Sequence, residues 1–270
     1  MLALILPGDR RATLSWAGAG IFFFWQLGAM KFLSERFDLT QVPMAGASGG
    51  ALVSVLAACG VPADRVLQRA YDLSMKYKIW ERPMGLMGVW GSLIEEWLNS
   101  LLPDDAADRC RDRVNIVVTQ LPSLAQVGIT DFKSKADLIN VAMASSHIPI
   151  FLDMKVARKC RGSYCVDGSF PDFFYNENSD LLQLGGDAVV FDYFFDANIP
   201  RKGRMDMLEV KTFEEVQHIM QLGYEYAARL QGDGQFDHFQ TGQFALNPLE
   251  DSQLRASTAT KSRDGESLAV

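Results

Sequence analysis

Two hydrophobic periods alternate along this chain, and the switches between them predict an α/β protein. Ala12 to Trp16, Val42 to Ala45, Arg113 to Thr119 and Ala188 to Phe194 have the length and content of strands. Between them lie stretches with helical spacing: Ile21 to Phe37, Ala51 to Cys59, Pro62 to Tyr77, Gly91 to Leu102, Ser134 to Ser146 and Thr212 to Leu230. Pro62 to Tyr77 is amphipathic and opened by a proline. Gly91 to Leu102 sets Ile94, Trp97, Leu98 and Leu101 against Glu95, Glu96 and Asn99. Strands alternating with helices favour a parallel or mixed sheet covered on both faces. The pattern therefore predicts a three-layer α/β/α fold with a mainly parallel central sheet.

Two uncharged stretches need a second reading. Ala12 to Met30, flanked by Arg10, Arg11 and Lys31, is long enough to cross a bilayer. Thr13, Ser15, Gln26 and three glycines interrupt it, however, and a strand, turn and helix buried in an α/β sheet give the same hydropathy. We read it as core. Leu39 to Ala63 is broken by Pro43 and by a glycine turn. Apolar side chains are also dense in Phe22 to Trp25 and in Trp80 to Trp97, where Met84, Leu86, Met87 and Trp90 stand among glycines. Core packing is the simpler reading of both, with contact to a lipid surface or a lid as the alternative.

Candidate chemistry sits at the turns. Gly46-Ala47-Ser48-Gly49-Gly50 joins a strand to a helix with a serine at the apex. A nucleophile held there is exposed on its own turn, small neighbours permit the tight backbone, and the helix N-terminus offers amides and a positive dipole to an oxyanion. Upstream, Ala17-Gly18-Ala19-Gly20 breaks a strand before another helix, so Gly18, Ala19 and Gly20, with Gly49, are candidate oxyanion donors. Downstream, Cys165-Val166-Asp167-Gly168-Ser169 presents Asp167 in a turn, as a general base for Ser48. The order serine, acid, histidine leaves His218 and His238 as formal triad partners. His218 lies inside a helical pattern and His238 beside the polar tail, whereas a triad histidine occupies a loop above the sheet. A dinucleotide loop at Gly18 to Gly20 lacks its third glycine and the acid that would close the second strand.

With these three segments in this order, the chain resembles the patatin-like phospholipase family, nearest the adipose triglyceride lipase and adiponutrin branch. The shared features are the oxyanion loop Ser15-Trp16-Ala17-Gly18-Ala19-Gly20 with Gly28, the elbow Ala45-Gly46-Ala47-Ser48, Pro149 with Phe151, Val166-Asp167-Gly168, and Pro171. The similarity covers about Thr13 to Asp196, with weaker echoes near Gly223-Tyr224. It implies a patatin-like α/β/α fold and a Ser48–Asp167 dyad that cleaves carboxylic esters of glycerolipids, of triacylglycerol lipase or phospholipase A type, without metal or organic cofactor. It further implies work at a lipid–water interface, in the cytoplasm and peripherally associated with a membrane or lipid-droplet surface. An inactive lipid-droplet or membrane scaffold of the same fold and a lipid acyltransferase are the alternatives. Two positions depart from the pattern. Phe23 stands where many members carry a third loop glycine, and Ser169 replaces the usual Gly or Ala after Asp-Gly.

Composition fits one enzyme domain. In 270 residues, 48% are hydrophobic and 22% charged, without a linker that would divide the chain. We expect an N-terminal extension over residues 1–11, a domain over 12–246, and a disordered tail over 247–270, where Ser, Thr and charged residues dominate and apolar periodicity ends. A net charge of −7 without a basic stripe argues against nucleic acid. The clusters Arg158, Lys159, Arg161 and Arg201, Lys202, Arg204 are read as solvated loops, with contact to lipid headgroups as the alternative. Four cysteines without a signal peptide read as free thiols. Cys160 and Cys165 could pair across a hairpin, but their spacing and only three histidines do not suit zinc.

Overall fold

A computed structural model of the chain describes residues 13–175, 178–183, 188–200 and 203–240. The extension at 1–11, the tail at 247–270, Arg201 and Lys202, and the side chains of Arg204 and His238 lie outside the described residues. In chain order the elements are β1 (Thr13–Trp16), α1 (Phe23–Ser34), β2 (Met44–Ala47), α2 (Gly49–Ala58), α3 (Ala63–Lys76), α4 (Trp90–Leu101), α5 (Ala106–Cys110), β3 (Val114–Leu121) and β4 (Ala125–Ile129). They continue as α6 (Lys135–Ser145), β5 (Arg158–Cys160), β6 (Ser163–Val166), α7 (Phe170–Tyr175), α8 (Asp180–Gln183), β7 (Ala188–Phe191), α9 (Phe213–Gly232) and α10 (Asp237–Gln240). Each predicted strand and helix is present, with ends moved by a few residues. The strand expected to end at Ala45 runs on to Ala47. That expected to reach Phe194 stops at Phe191, because the Asp192 carboxylate accepts the Phe194 amide and caps a 3₁₀ turn.

Parallel pairing joins β7, β1, β2 and β3, as the alternation predicts, while β4 and the β5–β6 hairpin add antiparallel pairs and make the sheet mixed. The register of β3 carries a further constraint. Ile116 and Val117 pair with both β2 and β4, so those strands occupy opposite edges of β3; Thr119 and Gln120 pair with both β4 and β6, so these two are also on opposite edges. Hence β2 and β6 share one edge of β3. They run toward each other along it, β2 ending opposite Val117 and β6 ending opposite Thr119.

Side chains alternate across the strands as the pleat requires. Leu14, Trp16, Met44, Val114, Ile116 and Val118 enter the main core with α1, α2, α4 and α6, whereas Ala45, Ala47 and Val117 face a smaller cluster closed by Leu181 and Leu182 of α8. Phe22, Phe23 and Trp25 are buried, and the core reading of that segment holds. Trp80 to Trp97 divides: Leu86 and Trp97 are buried, Trp80 and Met84 exposed. No helix among the described residues is long and apolar enough to cross a membrane. All four cysteines are free; Cys160 and Cys165 stand on the paired strands β5 and β6.

Backbone-to-backbone contact clamps α1 onto α9. A Cβ on Gly28 would overlap the Met220 carbonyl, and one on Gly223 the Trp25 carbonyl. Glycine in an exposed helix costs about 1 kcal/mol relative to alanine. Here the missing methyl permits the packing, so the sign reverses. Gly28→Ala and Gly223→Ala are each expected to destabilise the fold by about 3 kcal/mol through overpacking, read as a lower urea midpoint. An unchanged or raised midpoint would mean that the two helices are not in backbone contact.

Candidate active site

Steric exclusion shapes the turn after β2. A Cβ on Gly46 would strike the Gly50 carbonyl, and one on Gly50 would strike that of Trp16. With both positions restricted to glycine, the backbone reverses in one residue, and Ser48 takes φ 54 and ψ −126 as the cap of α2. That conformation is costly for a residue with a side chain, by about 1–3 kcal/mol, and is tolerated where surrounding structure over-determines it.

The head-on meeting of β2 and β6 sets what Ser48 faces. Ser48 follows the last residue of β2 and Asp167 follows the last residue of β6, so both arrive opposite Val118. The Ser48 hydroxyl donates to Asp167 Oδ2 at 2.6 Å, with both residues 5% exposed. On the other carboxylate oxygen, Oδ1 accepts from the Ser169 amide at 2.9 Å and from the Ser169 hydroxyl at 2.7 Å. Ser169 thus fixes which oxygen is turned to the serine.

One segment holds both turns. At the end of α6, the buried Ser145 hydroxyl donates to the Val117 carbonyl at 2.6 Å and accepts the Ser48 amide at 2.9 Å, while the Ser145 carbonyl accepts the Gly168 amide at 2.8 Å. Ser146 donates to the Ser48 carbonyl at 3.2 Å, the His147 carbonyl takes the Asp167 amide at 2.9 Å, and Thr119 Oγ1 donates to the Asp167 carbonyl at 2.8 Å. Sequence reasoning missed Ser145, Ser146 and Thr119. A serine pair ending an apolar helix, in front of His147-Ile148-Pro149, was the available signal.

Among the described residues, no histidine side chain contacts Ser48 or Asp167. His218 is exposed on α9, and the buried His147 ring directs Nε2 to the Lys155 carbonyl at 3.2 Å. Burial pushes the His147 pKa down. Burial likewise raises the Asp167 carboxyl above its ordinary range, against the lowering effect of the hydrogen bonds from Ser48 and Ser169, and Asp172 adds a repulsive charge. A carboxylate so held, in contact with a serine hydroxyl, is arranged to accept a proton.

The Ala17–Gly20 turn lies over the start of α2. The Ala17 amide is bonded to Phe191 at 3.1 Å, and the Gly20 nitrogen lies 3.5 Å from where a Cβ on Gly49 would stand. A Cβ on Gly18 would overlap the Ser169 hydroxyl. Gly18, Ala19, Gly20 and Gly49 are therefore gathered around Ser48, as are Gly46, Ala47, Gly50, Gly168 and Ser169. Two cavities open at Ser48. The larger, about 640 Å³, is also lined by Asp167, Phe170, Asp172, Phe173 and Asp192; the smaller, about 70 Å³, is lined by Phe23, Leu52, Trp90, Leu93, Ile94 and Trp97. The basic residues of the first cluster lie elsewhere: Arg158 bonds Asn140, and Arg161 bonds Asp137.

The sequence profile described as Patatin-like phospholipase matches residues 14–176, which contain both turns and the aspartate. The chain belongs to the patatin-like phospholipase family. Relatives include the mouse 1-acylglycerol-3-phosphate O-acyltransferase Pnpla3, 29% identical over 170 residues, covering 61% of this chain and 40% of that protein. The human omega-hydroxyceramide transacylase is 26% identical over 167 residues, or 60% of this chain and 31% of its own length. Human patatin-like phospholipase domain-containing protein 4 is 24% identical over 205 residues, covering 73% and 79% respectively. The chain thus matches two fifths or less of the first two relatives' length.

Within this family member, Asp167 links the site to stability. A carboxyl whose folded pKa is raised contributes stability in full below its unfolded value of about 3.9, and that contribution is lost as pH rises through the folded pKa. Asp167→Asn, which cannot ionise, should therefore melt at or above the wild type at pH 7.5, with the difference closing towards pH 4. Thermal unfolding across that range checks this. A variant less stable at every pH would contradict the assigned burial cost.

Proposed function

We propose that the protein is a serine esterase acting on glycerolipids by acyl transfer through a Ser48–Asp167 dyad. The 2.6 Å contact of the Ser48 hydroxyl with a buried, pKa-raised carboxylate, at a strained turn open to an apolar cavity, carries this reading. In the first step Asp167 takes the hydroxyl proton as Ser48 Oγ bonds to the ester carbonyl carbon. Amides of Gly18, Ala19 and Gly20, with Gly49, receive the oxyanion beside the N-terminus of α2. The ester C–O bond then breaks, and Asp167 returns the proton to the leaving alkoxide. Water deprotonated by the same carboxylate cleaves the acyl-enzyme and releases a fatty acid. None of these steps calls on a metal or cofactor.

Exposed Phe194, Phe195 and Met205 rim the larger cavity and supply an apolar surface for a lipid–water interface, on a membrane or lipid droplet. Neither segment singled out in the sequence supplies this rim. An alcohol in place of water would turn the same two steps into transacylation. The names of two relatives, an acyltransferase and a transacylase, favour keeping that second reading. The strained turn and the buried carboxylate in contact with Ser48 count against a scaffold without activity.

Purified wild type is expected to react with a fluorophosphonate probe and to hydrolyse members of a panel of triacylglycerol, phosphatidylcholine and p-nitrophenyl esters. Ser48→Ala should lose labelling, and both Ser48→Ala and Asp167→Asn should lose hydrolysis by at least about 10³-fold. A folded wild type that neither labels nor hydrolyses would move the assignment to the scaffold. The base must be ionised, so kcat/KM falls as pH drops through the Asp167 pKa. Because Ser169 holds that pKa down, Ser169→Ala should shift the acid limb to higher pH; an unmoved limb would contradict Asp167 as the base.

A further inference from the structure

Given ester cleavage at Ser48, we infer that the two cavities divide the substrate: the narrow one takes a single straight acyl chain, and the broad one takes the alcohol portion of the ester. The argument is stereochemical. The carbonyl carbon bonded to Ser48 Oγ carries the acyl chain on one side and the ester oxygen on the other. As the Oγ–C bond forms and the C–O bond breaks, the proton removed from Ser48 must pass from Asp167 to the departing alkoxide. The alkoxide therefore leaves on the side of Asp167. Asp167 lines the broad cavity and is absent from the wall of the narrow one, whereas Ser48 and Gly20 line both.

The walls agree with this division. The narrow cavity is bounded by Phe23, Leu52, Trp90, Leu93, Ile94 and Trp97, with Ser146 as the polar residue beside Ser48. Methylene groups placed there lose water without leaving a polar group unpaired. The broad cavity mixes Phe170, Phe173 and Phe195 with Asn178, Gln183 and Asp192, and has about nine times the volume (640 against 70 Å³), suited to a branched, oxygen-bearing glyceride alcohol. Phe23 helps to close the narrow side. Its ring packs edge-on against Trp97 with centroids 5.3 Å apart, so two aromatic side chains of this chain limit the width of the acyl side.

Tryptophan gives a direct test on the unaltered protein, since Trp90 and Trp97 line the narrow cavity and no tryptophan lines the broad one among the described residues. Wild type is labelled at Ser48 with an alkyl fluorophosphonate carrying bromine at its chain end, a contact quencher of indole emission. The adduct should quench emission, and the quench should shrink in Trp90→Phe. In parallel, Ile94→Phe should lower the ratio of kcat/KM for p-nitrophenyl laurate over p-nitrophenyl butyrate by about 10-fold or more. Full labelling without quenching, or a folded Ile94→Phe with an unchanged ratio, overturns the division while leaving the esterase assignment in place. Absence of both labelling and hydrolysis overturns the esterase assignment and the division with it. Should Ile94→Phe fail to fold, the quenching measurement decides.

Discussion

Everything at the site depends on two strands that share one edge of β3 and meet end to end. Because β2 and β6 stop on either side of Val118, the residues that follow them, Ser48 and Asp167, are brought together from positions far apart in the chain. The hydrogen bond between them is a product of sheet register. It needs no flexible loop to close, and a one-residue slip of either strand would turn its side chains to the opposite face. The segment from Ser145 to His147 then ties both turns to one helix end, so the two groups are positioned by a common support.

Burial gives this arrangement its chemistry and its cost. A carboxylate shielded from water is destabilised when ionised, which raises its affinity for a proton and suits it to act on a hydroxyl with no histidine between them. The surrounding donors limit the penalty. Ser169 contributes two hydrogen bonds to the oxygen that faces away from Ser48, so this small polar side chain lowers the cost of ionising the buried carboxylate. Burial does comparable work at Phe23, whose ring packs on Trp97 and forms a wall of the apolar cavity.

Much of this was legible in the sequence because glycine turns are local. Gly46, Gly50 and Gly18 are dictated by carbonyls and side chains that crowd them, and such crowding leaves a readable pattern of small residues around Ser48 and Asp167. Alternating strands and helices likewise reveal the parallel half of the sheet. What stayed hidden was non-local. Strand β4 is partly exposed and carries no apolar run, so it does not announce itself by periodicity; the β5–β6 hairpin, which begins with Arg158 and Lys159, was visible only as a turn that could bring Cys160 and Cys165 together, not as two strands of the sheet. Ser145 belongs to a predicted helix, yet its role arises only once Val117 and Ser48 are seen on either side of its hydroxyl. The exposed rim formed by Phe194, Phe195 and Met205 was concealed for a similar reason, since Phe194 continued the apolar run of β7 until Asp192 turned the chain.

On the proposed mechanism, Ser48 becomes covalently acylated during turnover. Rapid acid quench of the enzyme with a long-chain p-nitrophenyl ester, followed by proteolysis and mass mapping, tests it most directly. An acyl mass is expected on the peptide that bears Ser48, formed in a burst before steady-state release of fatty acid. Turnover with no adduct on that peptide, or with the acyl group on a different residue, would contradict it.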